Sequence, residues 1–168
     1  PALQVLIPAA SPLRRVQREA LLAQRPELER QVILLDGQAR QAMVASDAVL
    51  LASGTAALEA MLCHRSMLVA YRMAPLTHWL ARRLVKTPWI SLPNLIAQET
   101  LVPELIQDAV TPEKLAGQLG SMLDNGEARA ALEQRFATLH AELQRNASGR
   151  AVEAIEAVVA GRPLPASV

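Results

Sequence analysis

Ser53, Gly54, Thr55 and Ala56 stand between the apolar run Asp47-Ala48-Val49-Leu50-Leu51-Ala52 and a helix-forming stretch that carries Glu59. Small residues at a strand-to-helix turn leave backbone N–H groups unpaired at the helix start. Those groups face the C-terminal edge of a parallel sheet, where a diphosphate would sit. Gly54 lets a ligand approach the backbone closely, and Ser53 and Thr55 add hydroxyl donors. Glu59, one turn into the helix, leans its side chain back toward the N-terminus. A carboxylate there can accept both hydroxyls of a ribose. The order of phosphate cradle and then acid therefore reads as a nucleotide grip. The same residues also make an ordinary turn in which Ser53 or Thr55 caps the helix and Glu59 complements its dipole.

A second window runs from Tyr71 to Trp89. The chain has two Trp, one Tyr and one Phe, and the Tyr and both Trp fall in this window. On a helix expected over 75–86, His78, Arg82 and Lys86 form an i, i+4, i+8 stripe beside Arg83, while Leu76, Trp79, Leu80, Leu84 and Val85 supply apolar surface. A basic, Trp-bearing helix suits an anionic membrane edge or a phosphorylated lipid. Equally, it suits a helix whose apolar side packs on the sheet and whose arginines are solvated.

A third segment, Ser91-Leu92-Pro93-Asn94-Leu95-Ile96-Ala97, sets an Asn after a Pro in an apolar run. The Asn94 amide can donate and accept, or serve as a turn residue satisfying its own backbone. His64, His78 and His140 have neither metal-ligand spacing nor carboxylate or thiol company, and no Ser-His-Asp set can be assembled. The single Cys63 forms no internal disulfide. Its apolar helix argues for a buried, inert thiol and suits a reducing compartment.

These segments need a scaffold that brings loop and helix starts to one edge. Apolar runs near 3–7, 32–35, 48–52 and 67–71 alternate with helical patterns near 12–24, 38–46, 55–63 and 75–86. That alternation predicts an α/β fold with a parallel, doubly wound sheet and helices on both faces. Pro8, Asp36-Gly37 and Ser53-Gly54 mark strand-to-helix turns. From 103 onward the pattern reads as wholly helical, with Thr111-Pro112-Glu113 as a start signal, Asn125-Gly126 as a break, a long stretch over 127–145 and a last helix near 149–160. The expected organisation is a truncated Rossmann-like nucleotide-binding domain over 1–125, a helical extension over 126–160 and a disordered tail over 161–168.

The 168 residues are one domain's worth of chain, 51% hydrophobic and 20% charged. Lys plus Arg is 17 against 16 acids, so no basic field argues for nucleic acid. No apolar run reaches the roughly 18 residues of a membrane span. The chain opens with Pro1 directly before a strand pattern, as a piece of a longer protein does.

Ala45-Ser46-Asp47 through Glu59, Tyr71-Arg72-Met73, Trp79-Leu80-Ala81-Arg82-Arg83-Leu84-Val85-Lys86-Thr87 and Ser91-Leu92-Pro93-Asn94-Leu95 together closely resemble bacterial lipid-A-disaccharide synthase. The resemblance runs from about residue 1 to 155 in one register. It implies the C-terminal, donor-binding half of an inverting GT-B glycosyltransferase that uses UDP-2,3-diacylglucosamine and 2,3-diacylglucosamine 1-phosphate (lipid X). It carries the diphosphate cradle onto Ser53, Gly54, Thr55 and Ala56, the ribose ligand onto Glu59, and contacts near the diphosphate or sugar onto Arg72 and Asn94. No cofactor or metal is implied. The partners implied are the two lipid-linked sugars and the anionic cytosolic face of the inner membrane, with Trp79, Arg82, Arg83 and Lys86 as candidate contacts. The helical end can cross to another domain or a second subunit. The first strand of the family's C-terminal domain, the Gly-Ser-Arg loop after it and the acceptor domain with its acidic base do not match any part of this chain, so the catalytic residues are expected elsewhere. Two other readings remain: a different UDP-sugar enzyme of the same fold, such as a peptidoglycan glycosyltransferase or a UDP-sugar epimerase, or a non-catalytic nucleotide-binding or membrane-interaction module.

Overall fold

The computed structural model describes residues 3–52, 54–74, 77 and 87–163. Strands β1 (Val5–Ala9) and β2 (Val32–Asp36) flank helix α1 (Pro12–Leu22), and helix α2 (Ala39–Ala45) leads to β3 (Val49–Leu51). Then come α3 (Thr55–Leu62), β4 (Met67–Tyr71), α4 (Leu92–Ala97), β5 (Glu104–Ile106) and the helices α5 (Pro112–Asp124), α6 (Gly126–Leu143) and α7 (Ala147–Val159). All described ladders are parallel, as short Val/Ile/Leu-rich runs separated by helices predict.

The ladders fall into two runs, β1-β2 and β3-β4-β5. No ladder joins β1 to β3 among the described residues. In the longer run Leu51 stands opposite Val69 and Tyr71 opposite Ile106. The segments that leave β3, β4 and β5 therefore emerge side by side at one edge.

The α/β expectation holds, and the four early strands and first three helices lie within two residues of where hydrophobic patterning put them. Pro8 is inside β1, opposite Leu35, rather than at its end. The expectation of a wholly helical chain after 103 is overturned by β5, which is only three residues long and too short to show alternation. Its pairing with β4 makes it a strand. The expected helix over 75–86, with His78, lies outside the described residues except at position 77, and so does the far tail over 164–168.

The core gathers Met43 from α2, Ala57, Ala60 and Met61 from α3, Met67 and Val69 from β4, Val102, and Phe136 and Leu139 from α6. Alanines on the inner face of α3 let the helix lie close to the sheet, and the methionines fill the irregular space left. Phe136, the only Phe of the chain, is fully buried there. Thr111 caps α5 by accepting from the Lys114 N–H at 3.3 Å, and Asn125 caps α6 by accepting from the Ala128 N–H at 3.0 Å.

Candidate donor site at the strand edge

Gly54 takes φ 125° and ψ −156° between β3 and α3. That region is open essentially to glycine alone, because a Cβ would meet its own backbone. Among the described residues, apart from Gly54 and its two chain neighbours, no atom lies within 4 Å of where a Cβ would stand. The turn thus presents bare backbone to open space at the head of a helix that has no side-chain cap. Ser53 lies outside the described residues.

Along α3 the buried residues are Ala57, Ala60 and Met61, while Thr55, Glu59 and Leu62 are exposed. Thr55 and Glu59 are one turn apart and share this outer face, and Ala56 is half-buried beside them. Among the described residues no hydrogen bond or ion pair engages the Glu59 carboxylate. Helix geometry thus brings Gly54, Thr55 and Glu59 together at the edge.

Arg72 follows β4 directly and is exposed. Since Leu51 pairs with Val69, Gly54 and Arg72 lie three residues past paired positions on neighbouring strands. A guanidinium and a glycine turn at one edge suit an anionic ligand. The next residue is held firmly. The Met73 N–H donates to Gln107 Oε1 at 2.7 Å, and Gln107 Nε2 donates to the Met73 carbonyl at 3.0 Å.

Asn94 is fully buried and its amide is occupied by the chain itself. Nδ2 donates to the Val102 carbonyl at 2.9 Å and to Glu104 Oε1 at 2.8 Å, while Oδ1 accepts from the N–H groups of Leu101 at 2.8 Å and Val102 at 2.9 Å. Glu104 also accepts from the N–H groups of Ile90 and Ser91, each at 2.9 Å, and from the Ser91 hydroxyl at 2.6 Å. A carboxylate so placed at the start of α4 satisfies orphan N–H groups and complements the dipole. Asn94 reaches the edge only through this network, which ties α4 to β5.

Sequence reasoning missed Glu104 and Gln107, because both act across distances in sequence that no local pattern encodes. It also missed the pairing of His64 with His140, whose Nε2 and Nδ1 are 3.0 Å apart although the residues are 76 positions apart. Cys63 is only partly buried, at the end of α3. Trp79, Arg82, Arg83 and Lys86 lie outside the described residues. No described helix is long and apolar enough to cross a membrane.

A parallel α/β sheet with a glycine turn and an acidic helix face at its carboxyl edge defines a Rossmann-like half of the kind found in GT-B proteins. The family model for lipid-A-disaccharide synthetase matches residues 1–155. The chain is similar to lipid-A-disaccharide synthase of Chromohalobacter salexigens, 63% identical over 165 residues, covering 98% of this chain and 42% of that protein. It is also similar to the enzymes of that name from Haemophilus influenzae (strain PittGG), 52% identical with 96% and 42% covered, and Pseudomonas savastanoi pv. phaseolicola, 52% identical with 92% and 39% covered. The chain belongs to the lipid-A-disaccharide synthase family. It spans about two fifths of the length of these relatives.

Proposed function

We propose that this chain is the donor-binding part of a lipid-A-disaccharide synthase, and that it holds the UDP of UDP-2,3-diacylglucosamine. The observation that carries the reading is Gly54, bare and open at the head of α3, with Thr55 and Glu59 exposed on the face below it. The diphosphate lies against Ser53, Gly54, Thr55 and Ala56, Glu59 accepts from the ribose hydroxyls, and Arg72 supplies positive charge. Asn94 supports the site through Glu104 and the start of α4.

In the full-length polypeptide the 6-hydroxyl of lipid X attacks the anomeric carbon of the donor. An acidic side chain outside this chain takes the hydroxyl proton as the glycosidic bond to UDP breaks. Inversion gives the β-1,6 tetraacyl disaccharide 1-phosphate and UDP. Residues of this chain stabilise the negative charge gathering on the leaving diphosphate. Both substrates carry acyl chains, so the protein works as a peripheral protein at the cytosolic face of the inner membrane, and its C-terminal helices serve a homodimer or an interdomain contact.

A thin-layer assay with radiolabelled donor and lipid X tests this reading. The full-length polypeptide makes the disaccharide and loses most of that activity as Gly54→Ala, whereas residues 1–168 alone make none. Undiminished transfer by folded Gly54→Ala overturns the assignment of the turn.

A further inference from the structure

We infer that Gln107 is a positioning residue for the donor, holding Arg72 on the diphosphate side of the sheet edge by clamping the backbone of Met73. The inference rests on the donor reading above, in which Arg72 meets the diphosphate. The paired part of the β4–β5 ladder ends at Tyr71 opposite Ile106. Gln107 extends it by one further step with its side chain, because a primary amide offers the same donor and acceptor as a peptide unit. One oxygen and one nitrogen of that amide take both backbone groups of Met73, at 2.7 and 3.0 Å. The peptide plane between Arg72 and Met73 is thereby fixed, and with it the direction in which the Arg72 side chain leaves the backbone.

Gln107 makes this clamp from a backbone with φ 53°, in the left-handed region that a side chain such as glutamine seldom enters. Such a conformation persists only where surrounding contacts enforce it. Here the two side-chain bonds to Met73 act beside a backbone turn in which the Val110 N–H donates to the Gln107 carbonyl at 3.0 Å, and Gln107 lies in a half-buried place where a lost partner would not be replaced freely by water. Arg72 itself is exposed, and among the described residues no acid holds its guanidinium. Among the described residues its aim is therefore set by the backbone and not by an acidic side-chain partner. A ligand that gains from a long, rotamer-rich arginine gains more when the stem is already oriented.

The test is a double-mutant cycle on UDP binding, by calorimetry, in the full-length polypeptide with Arg72→Ala, Gln107→Ala and the pair, each checked for fold by circular dichroism. Gln107→Ala is expected to raise the Kd for UDP about fivefold, the scale of one weakened charged contact. It is expected to have no further effect once Arg72 is Ala. Gln107→Glu, which keeps the acceptor for the Met73 N–H and loses the donor, should fall between wild type and Gln107→Ala. A merely structural Gln107 would weaken UDP binding equally in both backgrounds, and that additivity overturns the inference. So does unchanged affinity in folded Gln107→Ala while Arg72→Ala binds weakly. Unchanged affinity in Arg72→Ala overturns both the clamp and the part of the donor reading that concerns Arg72, whereas the Gly54 and Glu59 assignments are decided by their own variants. If Gln107→Ala does not fold, Gln107→Glu and Gln107→Asn carry the same comparison.

Discussion

Asn94 Nδ2 donates to Glu104 Oε1 at 2.8 Å from a position with no solvent exposure, so among the described residues neutral donors, this amide together with the Ile90 and Ser91 N–H groups and the Ser91 hydroxyl, satisfy the carboxylate. Asn94→Ala strips that donor and also leaves the backbone groups of Leu101 and Val102 unpartnered. It should cost about 3 kcal/mol in chemical denaturation. Asn94→Asp keeps the acceptor for Leu101 and Val102 but sets two carboxylates against each other. The pair then takes up a proton at a pH above the ordinary carboxylate value of about 4. The folded state holds more protons than the unfolded one, so stability falls as pH rises through the raised value and is recovered on acidification. Urea midpoints of Asn94→Asp relative to wild type at pH 5 and 8 check the sign; an equal loss at both would deny the charge opposition.

Glu113 sits at the second position of α5, where its own backbone N–H and the Thr111 hydroxyl hold its carboxyl below its usual value of 4.5. A depressed acid contributes stability that is fully present above that usual value and is lost as pH falls through the lower folded one. Glu113→Gln should therefore narrow its gap from wild type below about pH 4.5 and show the gap in full at neutral pH. Thermal melts over pH 3 to 7 measure this, and a gap that grows toward acid would contradict it.

The membrane prediction concerns Arg82, Arg83 and Lys86. If the proposed stripe meets the membrane, each cation near an anionic surface adds about 1 kcal/mol, with Trp79 or Trp89 at the headgroup level. Changing all three to Glu should abolish co-sedimentation of the full-length polypeptide with anionic vesicles at low salt. Equal pelleting of triple mutant and wild type would return the stripe to a solvated face.

Much of this architecture is legible in residue order. The strand-to-helix turn at Gly54 is a local signal, since φ 125° is open essentially to glycine alone, and Thr111-Pro112-Glu113 announces the start of α5 as Asn125-Gly126 announces the break before α6. β5 escaped because three residues carry no period, and what makes Glu104–Ile106 a strand is the partner β4. The amide of Asn94 was legible as chemistry but not as placement: its partners at 101, 102 and 104 appear only when α4 folds back on β5. Gln107 and the His64–His140 pair belong to the same class, contacts set by the fold and invisible to spacing.

The account rests on Glu59 and the open turn above it as a UDP grip, and titration calorimetry of UDP into the full-length polypeptide tests that most directly. Glu59→Ala should weaken binding by about 2 kcal/mol, the scale for losing a charged hydrogen-bond acceptor, with circular dichroism unchanged because Glu59 is exposed and, among the described residues, its carboxylate makes no hydrogen bond or ion pair. An unaltered UDP affinity in the folded variant would return Glu59 to a helix-dipole role and contradict the donor site.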